Sequence, residues 1–346
     1  MFSKVLAAYN LNNNVAVTPF GSGLINNTWK VSSGKQDYVL QRVNNKVFIK
    51  PENIADNIRL IGEYLAQHYP GYLYTMPLKT MQGEDLFVDP EAGYFRMFPF
   101  IKDSYTINVA QAPAQAQEAA AEFGKFTRLL SGFPVEALKV TIQDFHNLSY
   151  RFSAFLVSLE SGNKDRMEES KEVIQFILSQ KQLVKEYEEI VSNPDFKIRV
   201  THHDTKISNV LFDQHEKGLC VIDLDTMMPG YFISDLGDMM RTYLSPVSEE
   251  EQDFKNIEVR DDFYIAIVKG YATEMKDELT KTEKKYFVYS GKFMIYMQVL
   301  RFFTDYLNND LYYGSNYPGH NLTRAKNQIV LLKKLSEKKY LEDVKI

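Results

Sequence analysis

The stretch THHDTKISNVLFD, residues 201–213, sets two histidines, an aspartate, a lysine and an asparagine directly before an apolar run. Adjacent histidines beside an acid are compatible with a metal hydrolase, whereas Asp204 followed five positions later by Asn209 is typical of a phosphotransferase loop. A zinc hydrolase needs about three protein ligands, and the side chains of neighbouring residues diverge on an extended segment. Since no HExxH or similar second element follows, the phosphotransferase interpretation is favoured.

The residues that follow this loop predict a β-hairpin. NVLF (209–212) and LCVID (219–223) are strand-like, and the intervening DQHEKG has the Asp and Gly expected of a turn. Antiparallel pairing centred near residue 216 sets Asn209 opposite Asp223. Their amide and carboxylate oxygens are ligands of the kind that Mg²⁺ prefers, and they leave coordination positions for water and phosphate. Asp204, just before the hairpin, can accept the proton of an attacking hydroxyl.

Composition limits the class of protein. The chain has 346 residues, of which 45% are hydrophobic and 13% aromatic, so it can bury a large core and is long enough for about two domains. Its single cysteine, Cys220, excludes an internal disulfide and suits a reducing compartment. A net charge of -5 with interspersed signs argues against a broad nucleic-acid surface, and no apolar run has the length of a membrane span. We expect a cytoplasmic protein with a small-molecule substrate and no nucleic-acid or membrane partner; the oligomeric state stays open.

The pattern of apolar residues predicts an α+β fold of two lobes. Residues 1–100 have short alternating apolar runs, which predict three antiparallel strands up to Val43, a helix from Pro51 and a hairpin around residues 89–93. The later sequence has longer helical patterns, which predict helices over residues 111–131, 145–160, 165–191, 249–276, 280–308 and 321–337. We therefore expect an N-terminal nucleotide-binding lobe (1–100) and a C-terminal helical lobe (101–346), in which the hairpin is embedded and which carries the catalytic loop and the acceptor site.

The small lobe has two features suited to a nucleotide. In FGSGLINNTW, residues 20–29, the glycines around Ser22 lie in a strand-turn-strand context, where backbone N–H groups can approach phosphate oxygens. The motif is neither a full GxGxxG nor a Walker loop, so an ordinary hairpin turn is the alternative. On the third strand, Arg42 is the predicted cation for the nucleotide phosphates. Gln41 is the alternative if the register differs by one residue, because such a slip reverses the face.

Together these motifs resemble the aminoglycoside phosphotransferase and choline kinase superfamily, a branch of the protein-kinase-like fold. The resemblance is carried by H-x-D-x-x-x-x-N, ending at Asn209, and by VIDLDTMMPGYFISDLGD, residues 221–238. More narrowly, GSGLINNTW, YVLQRVNNKVF, THHDTKISNVLFD, VIDLDTMMPG and RFFTDYLNNDLYY look like the N-acetylhexosamine 1-kinases. Those enzymes phosphorylate the anomeric hydroxyl of N-acetylglucosamine or N-acetylgalactosamine with ATP and magnesium.

The resemblance implies a role for each residue of the catalytic loop. Asp204 matches the catalytic base, which also touches the acceptor, and His202 matches a structural histidine that braces the loop. Asn209 and Asp223 match the two metal ligands. Asp235 is expected to cap a helix or brace the loop.

The resemblance also locates the two substrates. The expected nucleotide contacts are Gly21, Ser22, Gly23, Asn26, Arg42, Phe98 and Phe100, of which the two phenylalanines flank an adenine-binding hinge in RMFPF. Arg301 and Tyr312 occupy the segment that contacts the sugar. Leu24 departs from the subfamily, which commonly has a histidine there, and this departure bears on the choice of sugar.

We therefore expect a kinase that uses ATP and Mg²⁺ to phosphorylate the 1-hydroxyl of an N-acetylated hexosamine. The alternatives are a kinase of choline or ethanolamine, of an aminoglycoside or of another sugar, and a non-catalytic kinase-like regulator that binds nucleotide. Asp225 is expected either to touch the metal or a sugar hydroxyl or to be a solvated turn residue. Glu52 and Glu63 are equal candidates for the ion-pair partner of the strand cation.

Overall fold

The structure is a computed structural model that describes residues 2–12, 14–21, 23, 25–34 and 36–344. Ser22 and Leu24 lie outside the described residues. The helices are α1 (Phe2–Ala8), α2 (Pro51–His68), α3 (Pro113–Leu129), α4 (Leu148–Ser161), α5 (Lys164–Glu169), α6 (Lys171–Ser179), α7 (Lys181–Ser192), α8 (Phe232–Tyr243), α9 (Asp261–Glu274), α10 (Phe287–Leu307) and α11 (His320–Glu337). The strands are β1 (Ala16–Pro19), β2 (Asn27–Ser32), β3 (Asp37–Val43), β4 (Phe87–Asp89), β5 (Gly93–Pro99), β6 (Arg199–Thr201), β7 (Val210–Phe212), β8 (Gly218–Val221) and β9 (Met228–Gly230). The predicted α+β class is confirmed.

The chain forms two compact units, one of residues 1–106, 129–143 and 210–229, and one of residues 107–128, 144–209 and 230–346. The first unit contains a five-stranded antiparallel sheet in the order β1-β2-β3-β5-β4. Because side chains alternate along a strand, one face of this sheet packs its Leu40 and Phe95 against α1. The other face carries a polar row, in which Gln41 pairs with Thr28 on one side and Arg96 on the other.

Helix α2 ties the separate segments of the first unit together. It begins at Pro51, as predicted, and buries an apolar stripe that includes Ile54, Ile58, Ile61 and Leu65. The buried amide of Asn57 donates to the carbonyl oxygens of Lys139 at 2.8 Å and Met227 at 2.9 Å. One side chain thus satisfies backbone groups from two distant parts of the sequence.

The second unit is built around α10. Nearly all side chains of this helix are buried, and it packs against α4, α8 and α11. A helix that is apolar on every side can only lie inside a helical layer. None of the helices in the described part of the chain is long and apolar enough to cross a membrane.

Several predicted helices have different limits from those observed. The single helix expected over 165–191 is three helices, α5 to α7, which break at Ser170 and Gln180. No proline or glycine marks these breaks; helices this short depend on tertiary packing, which decides where the chain bends. The helix expected over 249–276 begins only at Asp261, and α1 was not predicted.

The predicted hairpin near residue 216 is confirmed, but its register is not. Pairing of Asn209 with Asp223 requires Ile222 opposite Val210, whereas the observed partner of Val210 is Val221. The hairpin turn bonds the N–H of Asp213 to the carbonyl oxygen of Lys217 at 2.9 Å, so the turn is centred on residue 215 and not on residue 216. An irregularity between Leu211 and Phe212 then shifts the ladder by one residue toward the predicted pairing.

Candidate active site

The loop after β6 is held by the first turn of α8. The Asp235 carboxylate accepts the backbone N–H of His202 at 3.1 Å and that of His203 at 2.7 Å. Burial raises the pKa of Asp235 to about 7, against the lowering effect of these two N–H donors. Asp235 is therefore a loop brace, one of its two predicted roles.

Two further side chains of α8 fix the loop on the other side of Asp204. The Asp238 carboxylate accepts the N–H of Thr205 at 2.8 Å, and the Tyr243 hydroxyl donates to the carbonyl of Thr205 at 2.5 Å. His203, whose own N–H is bound by Asp235, has φ 67°, which is uncommon for a residue with a side chain. The strained backbone and its buried supports place Asp204 in one defined position.

Asp204 presents a carboxylate held by two donors. Its Oδ2 accepts from Lys206 Nζ at 2.9 Å and from Asn209 Nδ2 at 2.9 Å. Burial opposes ionisation, but the Lys206 charge and these hydrogen bonds prevail and lower the pKa of Asp204. Its side chain is 28% exposed. The result is an ionised, accessible carboxylate, which is the form that can accept a proton from a hydroxyl.

The other predicted residues of the loop have distinct environments. Asn209 also donates through Nδ2 to the carbonyl oxygen of Asp204 at 2.8 Å, so Oδ1 is the atom suited to a metal. His202 is fully buried, accepts the Asp204 N–H through Nδ1 at 3.3 Å, and meets the edge of Phe123 at 5.2 Å. These contacts are those of a structural histidine.

In the first unit, Asp223 lies two residues after the end of β8 in a left-handed conformation, with φ 61° and ψ 60°. Asp tolerates this region better than most residues, but the conformation still costs free energy. Such outliers are often associated with functional sites.

The polar face of the sheet contains a buried ion pair that the sequence did not reveal. Arg96 on β5 and Asp225 lie 2.5 Å apart, and each side chain is 2% exposed. Arg96 also donates to the Gln41 side chain at 2.8 and 3.0 Å, while Asp225 accepts from Asn26 at 2.7 Å. Asp225 is therefore a buried anion, and the expectation of a solvated turn residue is wrong.

The predicted nucleotide residues of the first unit do not share one face. Gln41, Arg96 and Phe98 lie on the polar face, and the Arg96 guanidinium lies 5.1 Å from the centre of the Phe98 ring. Arg42 alternates to the face covered by α1, where it donates to Asn27 at 2.7 Å. Gln41, the alternative to Arg42, therefore lies on the polar face, because one step along a strand reverses the direction of the side chain.

The glycine turn begins next to the predicted hinge residue Phe100. The Phe20 ring meets that of Phe100 edge to face at 5.8 Å, and Lys30 Nζ lies 4.2 Å from the centre of the Phe100 ring. Gly21 has φ 78°, a conformation that favours glycine. Gly23 offers open space where a Cβ would stand.

The predicted acceptor residues meet at one cavity of the second unit. A cavity of about 170 Å³ is lined by Arg151, Ala154, Leu300, Arg301, Thr304, Asp305, Asn308, Tyr312 and Tyr313. The Arg301 guanidinium donates to Gln298 at 2.9 Å and lies 5.3 Å from the centre of the Phe145 ring. The Tyr312 side chain is 66% exposed, and its backbone N–H donates to Asp305 at 2.7 Å.

Two groups escaped the sequence analysis, Arg96 and Arg151, and the ion pair of Asp225 was not predicted. A signal existed for Arg96, because an arginine within the aromatic strand GYFRMFP can be buried only with a partner. No sequence signal linked Arg151 to Arg301, since the two lie on different helices, α4 and α10.

The family model of the APH phosphotransferase enzymes matches residues 16–267, which include every catalytic-loop residue described above. The chain belongs to this phosphotransferase enzyme family. Its match covers well over half of the sequence, so membership does not rest on a local motif. The narrower likeness to N-acetylhexosamine 1-kinases stays a prediction.

Solved structures of APH-like proteins share the fold. An amicoumacin kinase in complex with AMP-PNP, Ca²⁺ and Ami has a TM-score of 0.64 at 15% identity, covering 97% of this chain and 92% of that one. A spectinomycin phosphotransferase with ADP and spectinomycin has a TM-score of 0.60 at 13% identity and 98% coverage of both chains. An ethanolamine kinase from Plasmodium vivax has a TM-score of 0.59 at 14% identity, covering 95% of this chain and 85% of that one. These likenesses confirm the kinase-like fold.

Proposed function

We propose that this phosphotransferase transfers the γ-phosphate of ATP to a sugar hydroxyl, namely the anomeric 1-hydroxyl of an N-acetylhexosamine. The observation that carries the proposal is the Asp204 carboxylate, ionised, accessible and bonded to Asn209 at 2.9 Å. An anomeric hydroxyl is more acidic than an ordinary alcohol, so a carboxylate of lowered pKa is a sufficient base.

The residues of the loop divide the work of the transfer. Asp204 orients the acceptor hydroxyl and receives its proton, while Lys206 keeps the carboxylate ionised until then. Asn209 and Asp223 are the proposed ligands of Mg²⁺, and their oxygen atoms fit a hard cation. When bound, Mg²⁺ neutralises negative charge on the transferred phosphoryl group.

Use of ATP is supported by the family and by the amicoumacin kinase, which holds AMP-PNP and Ca²⁺. In this chain we assign adenine to the Phe98 and Phe100 region and the phosphates to the glycine turn. Arg96 is the proposed cation of the polar sheet face, in place of Arg42, because it shares that face with Phe98.

The acceptor cavity favours a sugar over an amine. Arg301 and Arg151 both line it, and two guanidinium groups repel a protonated amine. The exposed Tyr312 adds an aromatic ring and a hydroxyl to the same wall. A neutral polyhydroxylated acceptor meets no such repulsion and can use the guanidinium groups as hydrogen-bond donors.

The test compares Asp204→Asn with Asp213→Asn. Phosphorus NMR of the wild-type reaction with N-acetylglucosamine and N-acetylgalactosamine should show a sugar 1-phosphate. Asp204→Asn should abolish it while retaining ATP binding, whereas Asp213→Asn should be fully active, since Asp213 only accepts backbone N–H groups in the hairpin turn. Turnover of Asp204→Asn above about a tenth of wild type would contradict the role of Asp204 as base.

The acceptor assignment has its own test. Arg301→Ala should raise the KM for the sugar and leave the KM for ATP nearly unchanged. An equal loss of both affinities would contradict the placement of the sugar at Arg301. A wild-type enzyme that phosphorylates ethanolamine, choline or an aminoglycoside, but no sugar, would overturn the proposed acceptor.

A further inference from the structure

The acceptor cavity holds two positive charges that face each other from different helices. Arg151 on α4 and Arg301 on α10 both line the cavity of about 170 Å³. Burial lowers the pKa of Arg151, and the charge of Arg301 lowers it further, so the two guanidinium groups are close enough to repel each other. Guanidinium groups remain charged at neutral pH, and this cavity is therefore positive.

The Arg151 guanidinium is held rigidly. It donates through Nη2 to the backbone carbonyl oxygens of Asp144 at 3.0 Å and Phe145 at 3.3 Å. These acceptors carry no net charge, so they fix the guanidinium without neutralising it. No carboxylate among the described residues forms an ion pair with Arg151, so its charge acts on whatever enters the cavity.

Three buried polar atoms of the lining have no hydrogen-bond partner among the described residues: Arg151 Nε, Thr304 Oγ1 and Tyr313 OH. Buried polar atoms are nearly always satisfied, and all three of these can donate. The single lining carboxylate, Asp305, is already occupied, because it accepts the N–H groups of Tyr312 at 2.7 Å and Tyr313 at 2.9 Å. The cavity thus has several unpaired donors for oxygen atoms, and its one carboxylate already accepts N–H groups of the protein.

The cavity lies close to the catalytic loop within the second unit. The Arg301 guanidinium is 5.3 Å from the centre of the Phe145 ring, and that ring is 6.3 Å from the ring of His203, the neighbour of Asp204. The Phe145 ring thus lies between the Arg301 guanidinium and the loop that carries Asp204, so we expect a hexose whose hydroxyl lies at Asp204 to experience the positive charge of the cavity.

We propose that Arg151 is a specificity-determining residue that excludes acceptors bearing a protonated amine and selects sugars presenting uncharged or anionic oxygen groups. This assignment rests on the proposed sugar kinase function, and it explains how the enzyme would select its acceptor. It separates this chain from the ethanolamine kinase of the same fold, whose named substrate carries an amine.

The test uses two sugars that differ by one charge. Glucosamine carries an ammonium group at the carbon where glucose carries a hydroxyl. The kcat/KM of each sugar is measured at a pH below the pKa of the sugar amine. A sugar that is a poor acceptor is compared instead by its Ki against N-acetylglucosamine. Wild type should discriminate against glucosamine. Arg151→Met should reduce this discrimination by about tenfold, the effect of one partly screened charge at several ångströms. Arg151→Lys, which keeps the charge, should retain it.

Arg260→Met is the matched control. Arg260 is also partly buried and also donates to backbone carbonyl oxygens, including that of Tyr243 at 2.7 Å, but it does not line this cavity. Its removal should leave the glucosamine-to-glucose ratio unchanged. If Arg151→Met does not fold, Thr304→Asp places a negative charge in the same cavity and should shift the ratio in the same direction.

The outcomes separate the two proposals. The role of Arg151 is overturned if the wild-type enzyme is active on N-acetylhexosamines but neither Arg151→Met nor Thr304→Asp alters the glucosamine-to-glucose ratio. That result leaves the kinase function intact. An equal shift of the glucosamine-to-glucose ratio in Arg260→Met also overturns the role of Arg151, because the ratio would then depend on the net charge of the protein and not on the charge in the cavity. A wild-type enzyme that phosphorylates no hexose overturns the proposed function, and this assignment with it.

Discussion

Arg96 and Asp225 form an ion pair 2.5 Å long in which both side chains are 98% removed from solvent. The two residues come from a strand and from a short turn 129 positions further along the sequence. The Gln41 side chain accepts from Arg96, and the Asn26 side chain donates to Asp225. The pair therefore couples the polar sheet face to the segment that follows Asp223 within the first unit.

Loss of one partner of this pair should be costly. Arg96→Met leaves the Asp225 carboxylate buried without a cation, and we expect the free energy of unfolding to fall by about 3–5 kcal/mol in urea denaturation. The double variant Arg96→Met/Asp225→Leu should lose less, because no charge stays buried. A double variant less stable than Arg96→Met alone would contradict this account.

Arg199→Met provides the matched control for function. Arg199 and Glu283 form a second buried pair, 2.6 Å long, in the other unit. Both single variants should lose similar stability, but only Arg96→Met should raise the KM for ATP. A similar rise in both variants would mean that general destabilisation, not the position of Arg96, affects nucleotide binding.

Asp235 should make stability depend on pH. Its pKa is raised from 3.8 to about 7 in the folded protein, so its contribution is fully present below about pH 4 and is lost as pH rises toward 7. Asp235→Asn does not titrate. The free energy of unfolding of wild type relative to this variant should therefore fall, by up to about 4 kcal/mol, between pH 4 and pH 7.

The control for this titration is Asp213→Asn. The pKa of Asp213 is lowered, because the N–H groups of Lys217 and His215 bind its carboxylate, so its contribution is lost only as pH falls below the normal range of the group. The stability of Asp213→Asn relative to wild type should stay flat from pH 4 to pH 7. A flat difference for Asp235→Asn as well would show that the carboxylate does not titrate in this window.

Asn209→Asp should move the acid limb of the activity profile to higher pH. The new carboxylate lies beside Asp204, removes the donor at 2.9 Å and raises the pKa of the base through like-charge repulsion. The pH dependence of kcat/KM reports this change. Asn209→Ser removes the donor without adding charge, and its acid limb should shift less. A larger shift in Asn209→Ser would exclude charge as the cause.

Asp305→Ala should weaken acceptor binding. It leaves the N–H groups of Tyr312 and Tyr313 without their acceptor and removes one of the three acceptors of the Asn321 amide, so the loop that carries Tyr312 should loosen. We expect the KM for the acceptor to rise by about tenfold, with the KM for ATP unchanged. Asp195→Ala removes an exposed carboxylate bonded to Thr282 elsewhere in the unit and should affect neither constant. Unchanged acceptor KM in Asp305→Ala would show that the loop does not position the acceptor.

The sequence predicted those elements whose signal is local. The spacing of Ile54, Ile58, Ile61 and Leu65 predicted α2, and the turn residues after Phe212 predicted the β7–β8 hairpin; both are present. The helix breaks at Ser170 and Gln180 could not be predicted, since neither residue excludes a helix and packing decides the bend. The hairpin register failed by one residue because turn residues mark a turn without fixing the residue on which it is centred, here 215 and not 216.

By itself, the sequence predicted the loop from Asp204 to Asn209 as the candidate catalytic loop, since the spacing of two polar residues before an apolar strand is a local property of the chain. The tertiary structure alone decided that Arg96 neutralises Asp225 and that Arg151 shares a cavity with Arg301. A charge leaves water only where a partner or a fixed dipole replaces its hydration, and that partner is chosen by the packing of distant segments.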